Sequence, residues 1–180
     1  MIAAPAHTIR RYAAGQYPAC LTPGDLLLVH GTDVLGRIAE WGQKRRPEYQ
    51  QGDAWRWCHV ACASAPMQLV EATARGVHRT PLTAYDNADT WLIHTSALPE
   101  QRADAAAFLT RQCGHPYNLL DLVQLSAWLA FRRELPLSER GAWTCAELGA
   151  EVLRRLGHPL GLPFARVLPA DIALAFEVPA

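Results

Sequence analysis

The run Thr144 to Gly157, TCAELGAEVLRRLG, constrains the chain most, because it marks both ends of a helix and leaves one face of that helix needing a partner. Thr144 and Glu147 have the spacing of a capping box, in which the Thr hydroxyl accepts a backbone N–H and the Glu carboxylate reaches back to the cap residue. Gly157 supplies the C-terminal stop and Pro159 prevents resumption, while Arg154 and Arg155 suit the negative end of the dipole. Between these bounds Gly149, Val152, Leu153 and Leu156 follow Cys145 at i+4, i+7, i+8 and i+11, an apolar stripe that packs on a core. Cys145 is then the first helical residue and faces the body of the domain. Free N–H groups and the positive dipole end surround that position and favour thiolate over thiol. Two roles fit it: a nucleophile, or a small apolar filler at a helix start.

A nucleophilic thiol needs a base, and of the seven histidines His59, in WCHVACAS, has the best local setting. That run reads as a buried strand, followed after Ala65-Pro66 by a second from Gln68 to Thr73. Alternation puts His59, Ala61 and Ala63 on one face and Cys58, Val60 and Cys62 on the other, so His59 looks out over alanines with room for another element. On the second strand Leu69 and Glu71 share a face. In a hairpin, a carboxylate and an imidazole can therefore lie on one side of one sheet, the base-plus-orienter arrangement of thiol hydrolases. Histidine on an apolar strand also serves as a satisfied core residue, and Glu71 could instead pair with Arg75 or Arg79. His30, His78, His94 and His115 lack motif support and read as structural or exposed.

The rest of the chain reads as an α+β domain with a small, mostly antiparallel sheet. Residues 1–20 form a polar, partly mobile lead-in, and 21–180 a single domain. Strands are expected at Asp25 to His30, Val77 to Thr80 and Thr90 to Thr95. Helices are expected from Val34 to Lys44, from Pro99 to the stop at Gly114, and from a cap at Asn118 to Arg132. Glu48 to Ala54 reads as a polar loop. Asp25, in a Gly-Asp turn, reads as a determinant of strand geometry.

The motifs taken in order resemble the permuted NlpC/P60 (papain-like) cysteine hydrolases of the YiiX/YebB-like kind. They are TPGDLLLVHG from Thr22, His59 in CHVACAS, Glu71 in LVEATARGVHRTPL, Tyr117 in GHPYNLLDL, Cys145 in TCAELGAEVLRRLG, and LPADI from Leu168. The His strand precedes the Cys helix, as in the permuted members, and the likeness spans about Leu21 to Phe176. Ala146 departs from the pattern, standing where many relatives have Ser. The resemblance implies a permuted papain-like fold with a Cys145-His59-Glu71 triad cleaving an amide, peptide or related acyl bond through a thioester. It also implies an aromatic cleft wall at Tyr117, with Trp143 a further candidate for substrate binding. A lipid acyltransferase or thioesterase outcome, like that of lecithin:retinol acyltransferase, and a non-catalytic binding module are the alternatives.

Composition narrows the partners. At 180 residues, half of them apolar, the chain is long enough for one core and too short for two ordinary domains. A formal net charge of zero gives no electrostatic case for nucleic acid or an anionic membrane as an obligatory partner. No run reaches the roughly 18 apolar residues of a spanning helix, and the N-terminus lacks the apolar core of a secretory signal. A cytoplasmic location is expected. The five cysteines, Cys20, Cys58, Cys62, Cys113 and Cys145, are odd in number and irregularly spaced, so no disulfide framework is expected. Cys58, Cys62 and His59 do not make a zinc set, because an extended strand points His59 away from both thiols. The expected substrate is a peptide or acyl compound, with no cofactor; the sequence carries no signal of oligomeric state.

Overall fold

The computed structural model describes residues 7–31, 34–118 and 141–176. Its centre is a six-stranded sheet in the order β1-β6-β2-β3-β4-β5, formed by β1 (His7–Tyr12), β2 (Leu26–Val29), β3 (His59–Ala65), β4 (Gln68–Thr73), β5 (Gly76–Pro81) and β6 (Thr90–Thr95). Each strand pairing is antiparallel. Among the described residues four helices accompany it: α1 (Val34–Gln43), α2 (Pro99–Gln112), α3 (Cys145–Arg155) and α4 (Pro169–Phe176). The α+β class and the antiparallel sheet expected above are thus present.

The sheet divides two apolar layers because its strands alternate. One layer joins Leu26, Leu28, Val60, Cys62, Val70 and Ile93 to the inward faces of α2, α3 and α4, through Phe108, Leu109, Leu148, Val152, Leu153, Ile172 and Phe176. The other gathers Leu27, Val29, Ala61, Ala63, Leu69 and Leu92 beneath Leu21, Leu82 and Tyr85. The space over the alanines of β3 is therefore filled by the 3-10 turn Leu82–Tyr85, and the Cys helix packs on the opposite face. Its approach is close. A Cβ built on Gly149 would lie 2.8 Å from Val60 Cγ1, so the helix meets β3 at a distance only glycine permits.

Two expectations are corrected. Residues 7–12, assigned to a partly mobile lead-in outside the domain, form β1, registered residue by residue against β6 from His7↔Thr95 to Tyr12↔Thr90. The sheet thus begins well before residue 21. Glu48 to Ala54 belongs to a 3-10 stretch, Pro47–Arg56, that buries Tyr49 and Ala54 against α4. The helix expected from Asn118 to Arg132 falls mostly on residues 119–140, outside the described residues. Among the described residues no helix is long and apolar enough to cross a membrane.

Candidate active site

Local chemistry places each side chain of the candidate site. Thr144 caps α3 as expected: its Oγ1 accepts the Glu147 N–H at 3.2 Å, and Glu147 Oε2 accepts the Thr144 N–H at 2.7 Å. The capping box uses the N–H groups of residues 144 and 147. Those of Cys145 and Ala146 between them have no partner among the described residues. Cys145 is buried but borders a cleft of about 590 Å³ that also reaches His59, Glu71 and Tyr117.

His59 begins β3 opposite Val29, at the end of the sheet where the α3 N-terminus reaches over from the other layer. Its Nε2 lies 2.6 Å from Glu71 Oε2. With that nitrogen engaged, Nδ1 is left to serve Cys145. Burial alone would hold the imidazole pKa down. The Cys145 charge and its hydrogen bond, followed by the hydrogen bond and charge of Glu71, outweigh burial and push it up to about 10. Glu71 is buried two residues along the same face as Leu69. Desolvation would raise its pKa, but hydrogen bonds from His59, Thr80 and Tyr85 and the imidazole charge bring it down to about 2.

Three members of this cluster were not anticipated. Thr80 Oγ1 donates to Glu71 Oε1, and the Tyr85 hydroxyl donates to Glu71 Oε2. The Tyr85 ring also stacks on His59, with centroids 6.3 Å apart and planes at 29°. His78 Nε2 stands 3.5 Å from Glu71 Oε1, so a histidine read as structural belongs to the cluster. For Thr80 and His78 a signal existed, since both share the period-two face of β5, with His78 across from Glu71 in the register and Thr80 across from Leu69 on the same face. Tyr85 lies in a turn whose position no local pattern gives.

Tyr117 lines the cleft, but Trp143 does not, which corrects its assignment to substrate binding. The Trp143 indole packs edge-on against Phe108 at 5.6 Å and donates Nε1–H to Gln112 Oε1 at 2.9 Å. Its backbone has a positioning part: Trp143 and Tyr117 form a parallel bridge, with Asn118 N–H donating to Trp143 O at 3.1 Å and Trp143 N–H to Pro116 O at 3.2 Å. This bridge ties the segment preceding Cys145 to Tyr117.

Cys62 lies deeper than Cys145. It is fully buried under α3, and burial, reinforced by the charges of Cys145 and Glu71, pushes its thiol pKa upward. Cys58 points back at β2, where its Sγ accepts the Gly31 N–H at 3.1 Å. Among the described residues no three His, Cys, Asp or Glu side chains converge as a metal-binding group. No known family profile and no curated protein matches the chain.

Proposed function

We propose that the protein is a cysteine hydrolase with a permuted papain-like fold, in which Cys145 is the nucleophile, His59 the general base and acid, and Glu71 the residue that orients the imidazole. The observation that carries this is the convergence on one cleft of a helix-initial thiol and an imidazole bonded at 2.6 Å to a buried carboxylate. Cys145 as thiolate attacks the carbonyl carbon of an amide, peptide or related acyl bond. The developing oxyanion is held by the N–H groups of Cys145 and Ala146, which the capping box leaves free. His59 gives its proton to the departing amine, and a thioester remains. Water then attacks with His59 as base, the C–S bond breaks, and acid and thiol are released. Tyr117 walls the bound substrate.

A second outcome of the same chemistry, acyl transfer to or from a lipid, is favoured by one feature: much of the cleft wall is small and apolar, including Val29, Ala39, Ala72, Ala84, Ala88, Val167 and Leu168. One experiment addresses both. Limiting iodoacetamide near pH 6.5 is expected to alkylate Cys145 ahead of the other four cysteines, and acyl-thioester or peptide-amide probes to label it without vesicles. An inert Cys145 beside a reactive Cys20 or Cys113 would sink the assignment. Labelling that needs a lipid interface would select the second outcome.

A further inference from the structure

The cleft contains a charged side chain that the thiol chemistry does not use. Arg75 follows β4 in the turn to β5 and lines the cleft with Cys145 and His59. The backbone of this turn is fixed. Arg75 N–H donates to Thr73 Oγ1 at 3.3 Å, and Gly76 follows at φ +89°, where a Cβ would come within 2.7 Å of the His115 carbonyl oxygen. That same oxygen accepts the Val77 N–H at 2.9 Å. The guanidinium, in contrast, makes no hydrogen bond or ion pair with any described residue.

Charge accounting in the cleft sharpens the point. Glu71 is the sole carboxylate among the described lining residues, and it is engaged by His59, Thr80 and Tyr85. His30, the other imidazole on the wall, stands 3.6 Å from Glu40. Arg75 is thus a permanent cation on a largely apolar wall, with five N–H donors in a planar fork and no anion among the described residues to meet them. Such a fork matches a carboxylate in both charge and geometry.

We propose that Arg75 is an anion-binding subsite, so that the preferred substrate of the Cys145 centre carries a carboxylate near the carbonyl under attack. This rests on Cys145 being the nucleophile, and the test separates the two ideas. Iodoacetate and iodoacetamide deliver the same carbon to sulfur: the C–S bond forms as iodide leaves with the C–I electron pair. They differ in charge. The readout is the ratio of their rates at Cys145, followed by mass spectrometry of its peptide in the full chain, so that any general effect of a substitution on the thiol cancels.

Arg75→Gln is expected to lower the iodoacetate-to-iodoacetamide ratio by about three- to fivefold, the scale of a solvent-exposed charge pair. Arg75→Lys should retain part of the preference, and raising the salt concentration should compress it. Arg79→Gln removes an equal charge from an exposed position on β5 that does not line the cleft, and should leave the ratio unchanged. In the unmodified protein, succinate should protect Cys145 from iodoacetamide better than succinamide does, a readout that needs no variant to fold. An unchanged ratio in Arg75→Gln, an equal fall in Arg79→Gln, or equal protection by the two succinyl compounds would each overturn the subsite while leaving the nucleophile intact. Failure of both reagents to label Cys145 would overturn the nucleophile and the subsite with it.

Discussion

Two imidazole–carboxylate pairs stand at opposite ends of the same sheet, and their surroundings differ in the respect that the proposed reaction needs. At one end His59 Nε2 meets Glu71 Oε2 at 2.6 Å; at the other, His94 Nδ1 meets Asp25 Oδ1 at 2.8 Å. Distance does not separate them. The surroundings do. Asp25 also accepts the Thr22 N–H at 2.8 Å and Arg102 Nη1–H at 3.2 Å, and Arg102 Nη2 stands 3.5 Å from the second nitrogen of His94. Arg102 further donates to the carbonyls of Pro23 and Thr95. A permanent cation thus neutralises the carboxylate and occupies the far side of the imidazole, and the network ties β2, β6 and α2 together. At the His59 end two hydroxyls hold the carboxylate with His78 3.5 Å away, no described arginine takes part, and the far side of the imidazole is left to a thiol that borders a cleft.

The largest expected effect breaks the symmetry outright. His59→Ala should lower kcat/KM on a thioester or amide probe by about a thousandfold or more, and adding Cys145→Ala should cost little further, because neither half works alone. His94→Ala should stay within about twofold of the unmodified protein. Equal losses at the two histidines would erase the distinction.

Stability should show the reverse order. Asp25→Ala strands the nearly buried Arg102 guanidinium, whose side chain is 11% exposed, without its counter-ion. Breaking a pair of this kind costs about 3 kcal/mol, to be read from the denaturant midpoint. A midpoint within experimental error of the parent would show that the Asp25 end holds nothing together.

The smallest effect is a shift in pH dependence. If thiolate and imidazolium together form the active state, activity falls on the alkaline side as His59 loses its proton. Its raised pKa, about 10, places that limb high. Glu71→Gln removes the carboxylate charge, one of the causes of the elevation, so the limb should move to lower pH by about one unit. A pH–rate profile for kcat/KM measures it, and a limb that stays in place would remove Glu71 from the mechanism.

The sequence was most informative where a local rule had a single solution. The capping box placed Cys145 at the start of α3, and apolar alternation bounded β4 and β6 at Gln68–Thr73 and Thr90–Thr95. It was silent where stability comes from distant pairing. HTIRRY carries two arginines and leaves much of itself in solvent, so nothing in its pattern announces β1; its order comes from hydrogen bonds to β6 and from Ile9 against the core. The site divided in the same way. His59 and Glu71 share a face by strand period, whereas Tyr85 reaches Glu71 from a turn whose path depends on the fold. The layer occupied by α3 was equally hidden, since alternation assigns residues to faces without saying what covers each face.

Gly149 sets the mechanical tolerance of the proposed reaction centre. One helical turn beyond Cys145, the bare Cα rests where a methyl would strike Val60, the neighbour of His59 on β3. The spacing between the proposed nucleophile and its proposed base is therefore gauged by an atom that is missing. A shim one carbon thick would force α3 or the Val60 side chain to give way and so disturb the placing of Cys145 beside His59, with every side chain of the site unchanged in identity.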